Sequence, residues 1–170
     1  MTADDVLREI DAEFETISHD PIHSIEQAAE VRGVNQPQIV KSVLMETQSG
    51  RTVHACVPGN REVSPKVFED HALLPPQRVE QITGFEPGTV HPLSSGLPHV
   101  VESRLFDREE LCFTTGRRDT AVKMEADEFG SVLDDTDFST EVREVVESSD
   151  SEKQELLDAG LDEDSARFVL

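Results

Sequence analysis

Ile39-Val40-Lys41-Ser42-Val43-Leu44-Met45-Glu46 and Thr52-Val53-His54-Ala55-Cys56-Val57 are two β-rich runs separated by a link containing Gln48-Ser49-Gly50. Two such runs joined by a short polar, glycine-bearing connection read as a hairpin. Upstream, residues 2–12 read as an amphipathic helix, with Thr2 as cap, acids in the first turn and Val6, Leu7 and Ile10 as its apolar stripe. Phe14 to Ser18 alternates like a short strand, and Ser24 with Gln27 resembles a capping box opening a helix that Gly33 ends. Downstream, Ser64-Pro65 and Pro75-Pro76 each open a helix, the second closing at Gly84. Phe85 to Gly96 is a long structured loop; Leu97–Val101, Leu111–Thr115 and Thr120–Met124 read as strands, and Ala126–Leu133 as a helix. Strands and helices mix without a regular βαβ alternation. The pattern predicts an α+β fold with a mixed, largely antiparallel sheet curled into a partial barrel.

From Asp134 on, acids, Ser and Thr dominate, so the expected division is a domain over residues 1–133 and an acidic C-terminal extension over 134–170, helical or partly flexible. The net charge of −21 is spread over both parts, −11 in residues 1–133 and −10 in 134–170. Few lysines, many acids and no targeting segment give the reading of a halophile's cytoplasmic protein; an acidic surface made for a basic partner is the other reading. On the first, lowering KCl from molar to tens of millimolar lengthens the Debye length from about 3 Å towards about 30 Å and unscreens the repulsion. The expected outcome is a clear fall in melting temperature by circular dichroism along that series. An unchanged melting temperature would refute the salt-adapted reading.

No run approaches the roughly 18 apolar residues of a membrane span. Cys56 and Cys112 lie in apolar runs outside any C-x-x-C pair and read as small buried hydrophobes, and Pro21 interrupts His19 and His23. No metal site and no cofactor are expected. G-x-S-x-G, H-E-x-x-H, P-loop and G-x-G-x-x-G motifs are all missing, so an enzyme here works without an obvious side-chain nucleophile.

Three places stand out. Lys41 interrupts an apolar strand; it either alternates outward to water or points into a cleft as a compact anion ligand. Thr83-Gly84-Phe85-Glu86-Pro87-Gly88-Thr89-Val90-His91-Pro92 holds two glycines and two prolines in ten residues, which suits a plain connection or a shaped binding loop. Thr114-Thr115-Gly116-Arg117-Arg118-Asp119-Thr120 is a tight turn whose paired arginines either stay solvated or contact phosphates.

Taken in order, these segments resemble the YbaK/ProX family of aminoacyl-tRNA editing domains. The match adds His19-Asp20-Pro21, the Ser24–Gly33 helix, the strand Val40-Lys41-Ser42-Val43-Leu44 and the turn Val57-Pro58-Gly59-Asn60-Arg61-Glu62-Val63. Two departures stand at His91, before the loop's second proline, and at Leu93-Ser94-Ser95-Gly96 after it. The resemblance implies hydrolysis of the ester joining a small amino acid to a tRNA 3′ end, with tRNA-Pro carrying Cys or Ala as the expected substrate. It implies that Lys41 holds the terminal nucleotide or its phosphate and that the Gly116 N–H hydrogen-bonds the reacting ester as an oxyanion-type donor. Thr83, Gly84, Phe85, Gly88, Val90, His91 and Pro92 would shape the amino-acid pocket, with Thr115, Arg117 and Arg118 beside it. The implied partners are the aminoacyl 3′ end of a mischarged tRNA and prolyl-tRNA synthetase, without membrane or DNA. A non-catalytic module of the same fold, binding a tRNA end or a synthetase, is the rival.

Overall fold

The computed structural model describes residues 1–64, 72–94, 96–135 and 140–146. The expected hairpin is there: β2 (Val40–Glu46) pairs antiparallel with β3 (Thr52–Pro58) in a register that sets Ser42 opposite Cys56 and Leu44 opposite His54. Around it, the elements follow the chain as α1 (Ala3–Glu9), β1 (Glu15–Ser18), α2 (Ile25–Arg32), β4 (Ala72–Leu73), α3 (Pro76–Thr83), β5 (His99–Glu102), β6 (Glu110–Thr114), β7 (Thr120–Glu125), α4 (Ala126–Asp135) and β8 (Thr140–Arg143). The helix expected from Ser64-Pro65 falls largely outside the described residues. No helix among those described is long and apolar enough to cross a membrane.

Two sheets form. One has the order β1-β7-β6 and is antiparallel; the other runs β4-β2-β3-β5-β8, with β5 parallel to both β3 and β8. They meet at a parallel bridge between Ile39 and Cys112, so the structure is an α+β fold whose sheets stay open rather than closing. Helices α1 and α4 cover the main core, where Leu7, Cys56, Val101, Leu105, Phe113, Val122 and Phe129 are buried together. The other face of the larger sheet buries Val53, Val57 and Val100 against Val145 and Val146.

That last contact involves residues past Leu133. The compact body was expected to end at Leu133, yet β8 adds a parallel strand to β5 and Val145 and Val146 are buried. Besides the Val63–Val146 bridge and the Ser64 N–H to Val145 carbonyl bond, one cause is Glu102, itself fully buried at the end of β5. Its Oε1 accepts the Val145 and Val146 N–H groups at 2.9 and 3.1 Å, and its Oε2 accepts the Arg104 N–H at 2.7 Å. The apolar cluster expected from Leu156 to Leu170 lies outside the described residues.

Local chemistry explains the helix limits. In α2 the Ser24 hydroxyl accepts the Gln27 N–H, while Gln27 reaches back to the His23 N–H, one residue before the cap. Gly33 then stops the helix in the left-handed conformation, at φ 67°. Pro76 opens α3 and Gly84 closes it in the same left-handed way.

Candidate active site

β4 pairs with β2 at Met45 and Glu46, and the Ile39–Cys112 bridge lies just before the strand, so among the described residues the edge of β2 around Ser42 carries no paired strand. The Leu74 N–H donates to the Leu44 carbonyl, so Leu44 directs its backbone polar groups to that side. Strand alternation sends those of Ser42 the same way. A cleft of about 430 Å³ lies along this edge. One wall is the start of α2 and the chain before it, from Ile22 to Arg32; the other comes from Leu74, Val79, Pro87, Gly88 and Val90; Glu62, Thr114 and Arg118 close its ends.

Three cations line it. Lys41 shares a face of β2 with Val43 and lines the cleft, and its Nζ lies 3.1 Å from a Glu62 carboxylate oxygen. The ammonium side chain is 20% exposed and Glu62 88%, so the pair sits at the mouth and is weak. Arg32 is nearly buried. Its Nε donates to His19 Nε2 at 3.3 Å, fixed as acceptor because His19 Nδ1 faces the Asp20 carbonyl at 2.7 Å. Among the described residues the Arg32 Nη2 has no hydrogen-bond partner, and burial lowers the guanidinium pKa with the Cys112 thiol opposing that shift. Arg118 spans the mouth: Nη2 donates to the Pro87 carbonyl at 3.2 Å and Nη1 to the Ile22 carbonyl at 3.5 Å, with Glu86 at 3.6 Å.

Of the residues expected at the site, Lys41, Gly88, Val90 and Arg118 line the cleft, whereas Thr83, Gly84, Phe85, His91, Pro92, Thr115, Gly116 and Arg117 do not. Thr83 caps α3, donating to the Val79 carbonyl and accepting the Phe85 N–H. Gly84 is the left-handed end of that helix, and Pro92 lies in the turn after His91. Thr115 is buried with its hydroxyl on that of Thr120, and its carbonyl accepts the Ala3 N–H. Arg117 points to solvent, paired with Asp119. Gly116 is the sharpest difference. Its N–H donates to the Thr114 hydroxyl at 3.3 Å, and at φ 114° its α-carbon is covered by the Phe85 ring, which a Cβ would meet at 2.4 Å. In this structure the Gly116 N–H is thus engaged by Thr114, a residue that does line the cleft.

His91 does not line the cleft either. It is fully buried, its Nδ1 accepts the Leu93 N–H at 3.1 Å, and its Nε2–H donates to the Met1 carbonyl at 2.9 Å. Burial pushes its pKa down to about 4; the N-terminal ammonium adds to the shift, and the Met1 carbonyl and Asp4 oppose it. The unfolded chain, with an ordinary pKa near 6.5, binds one more proton there between about pH 6.5 and 4. Stability contributed by His91 is thus complete above about 6.5 and falls with pH through that window. Urea titrations should show the unfolding constant rising by up to about tenfold per pH unit from this residue, and His91→Gln should flatten that slope.

Arg32, His23, Ser24, Ser42, Glu62 and Thr114 also line the cleft, though the sequence reading gave none of them a role at the site. Arg32 ends α2, where an arginine ordinarily serves the helix dipole from the surface. The lining offers cations, hydroxyls and an open strand edge. Among its described residues, no hydroxyl is hydrogen-bonded to an imidazole. Such a site is suited to holding an anionic or ester-bearing ligand in place while water reacts.

A family model of the aminoacyl-tRNA editing domain matches residues 19–130, a span that contains every lining residue. No curated protein matches the chain. Solved structures share the fold. Hypothetical protein APE2540 superposes with a TM-score of 0.70 at 19% identity, covering 85% of this chain and 98% of that one. A scaffold for epitope backbone grafting superposes at 0.71 and 20%, covering 85% and 94%. A proposed trans-editing enzyme for prolyl-tRNA synthetase superposes at 0.67 and 19%, covering 79% and 87%.

Proposed function

Because the chain belongs to the aminoacyl-tRNA editing domain family, we propose that it is a trans-editing hydrolase that deacylates mischarged tRNA, with Cys or Ala on tRNA-Pro as its substrates. The observation that carries this reading is the cleft beside β2, walled by Lys41, Arg32 and Arg118, in which no hydroxyl among the described residues is bonded to an imidazole. Lys41 meets the terminal phosphate or ribose as a point charge. The Ser42 backbone groups and Thr114 orient the aminoacyl ester, and Val79 and Val90 bound the small side chain. Water attacks the ester carbon, and the products are the free amino acid and the tRNA 3′ hydroxyl. The chain's own contribution is placement and charge rather than a covalent intermediate.

The net charge of −21 disfavours broad contact with the tRNA backbone. Recognition concentrates on the 3′ end, or on a complex with prolyl-tRNA synthetase, the enzyme associated with one structural neighbour. The test is deacylation of Cys-tRNA-Pro and Ala-tRNA-Pro by pure protein at molar salt, beside correctly charged Pro-tRNA-Pro. Faster ester loss from the mischarged pair is expected. Binding of the aminoacyl end without turnover would make the chain the non-catalytic module instead.

A further inference from the structure

β3 and β5 run parallel with His54 opposite His99 and Cys56 opposite Val101. Alternation puts His54 and Cys56 on one face of β3, and the register puts His99 beside them. All three side chains are buried: His54 and Cys56 fully, His99 to within 2%. The two rings meet edge to face, centroids 4.4 Å apart, and Cys56 Sγ lies 3.5 Å from His99 Nε2. One ligand atom from each residue lies within 4.8 Å of the other two. The cluster adjoins the cleft lining at Ser42, which stands opposite Cys56 across β2 and β3. The mechanism above does not use it, and sequence spacing gave no reason to expect a metal site there.

Two neutral imidazoles and one thiol in a dry interior have few chemical uses. A thiolate–imidazolium nucleophile is disfavoured, since burial pushes the Cys56 thiol up to about 12 and His99 down to about 4. A metal ion changes that balance, because it takes imidazole in its neutral form and drives the proton off the thiol. We propose that His54, Cys56 and His99 form a three-ligand site for one soft monovalent metal ion of the copper(I) class. Softness follows from the thiolate and imidazole donors. The charge follows from burial: a monovalent ion and one thiolate sum to zero, whereas a divalent ion would leave a buried net charge. Binding is a proton exchange in which the S–H bond breaks, an S–metal bond forms and one proton leaves to the buffer.

The test titrates the full chain anaerobically with copper(I) against a chromophoric copper(I) chelator, with zinc(II) and cobalt(II) in parallel. One equivalent of copper(I) bound is expected, with release of one proton. Cys56→Ser should lose at least about a hundredfold in affinity, more than the loss of an outer partner costs. Cys112→Ser, which removes the other buried thiol, should bind as the parent does. Should Cys56→Ser fail to fold, X-ray absorption on the copper-loaded parent decides, with one sulfur and two nitrogen neighbours expected. The proposal fails if the parent leaves the ion on the chelator, if Cys56→Ser binds as the parent does, if the absorption spectrum lacks sulfur, or if only the divalent ions bind. None of these outcomes bears on tRNA deacylation.

Discussion

Glu102→Ala should lower the melting temperature on the order of 10 °C, although the residue is far from the cleft. The substitution takes the acceptor from the Val145 and Val146 N–H groups and removes the carboxylate that caps the 3-10 turn Ser103–Asp107. Each buried donor left without a partner costs about 1–3 kcal/mol, so two or three of them reach about 2–9 kcal/mol. For a chain of this length 1 kcal/mol moves the melting temperature by about 2–4 °C. Glu102→Gln keeps one acceptor oxygen and turns an amide NH2 towards a donor, so it should fall between the parent and Glu102→Ala. Ending the chain at Thr136 should be worse than either. It removes β8, uncovers Val100 and Val57, and leaves the Glu102 carboxylate buried without two of its three backbone donors. Thermal melts of the three variants at one salt concentration check the order. If the Thr136 truncation melts like the parent, residues 140–146 do not belong to the folded body.

What the sequence made legible was local. Ser24, Gln27 and Gly33 bound α2 through side-chain and backbone rules that act within a few residues, and the hairpin strands carry their own β-branched pattern. The position of Lys41 beside a cleft was legible for a related reason, because one cation in an apolar strand must be accounted for. Arg32 was not legible: its pattern is that of a surface arginine at a helix end, and only the packing of α2 against the His19 chain buries it. Gly116 was legible as a tight turn, but the Phe85 ring that covers its α-carbon comes from a distant loop and leaves no local pattern to read. The role of residues 140–146 was hidden for a third reason. Their composition is that of an acidic tail, and what draws them in is pairing with β5, two buried valines and a carboxylate of that strand. Long-range pairing of this kind leaves no periodicity to read.

Lys41→Ala should cost the proposed deacylase at least about ten- to a hundredfold in kcat/KM with its circular dichroism unchanged. Lys41 lies on β2, which pairs with β3 along its length, and its Nζ makes one weak contact with an exposed carboxylate. The backbone therefore holds without it, and truncation should change stability by about 1 kcal/mol or less. Inside the cleft the balance differs. A hydrogen bond to a charged group is worth about 1.5–3 kcal/mol net, and each 1.4 kcal/mol is tenfold; further loss follows if the ammonium also sets the ester in line for water. Lys41→Arg keeps the charge on a longer planar head that a compact site places poorly, so partial activity is expected. Glu62→Gln separates binding from chemistry. If the carboxylate only neutralises Lys41 in the empty cleft, removing its charge should lower KM modestly and leave kcat alone, an effect that fades at high salt. If kcat falls while KM holds, Glu62 rather than a substrate group serves the attacking water. Full activity in Lys41→Ala would take the lysine out of the site and leave Arg32 and Arg118 as the cations on which the cleft depends.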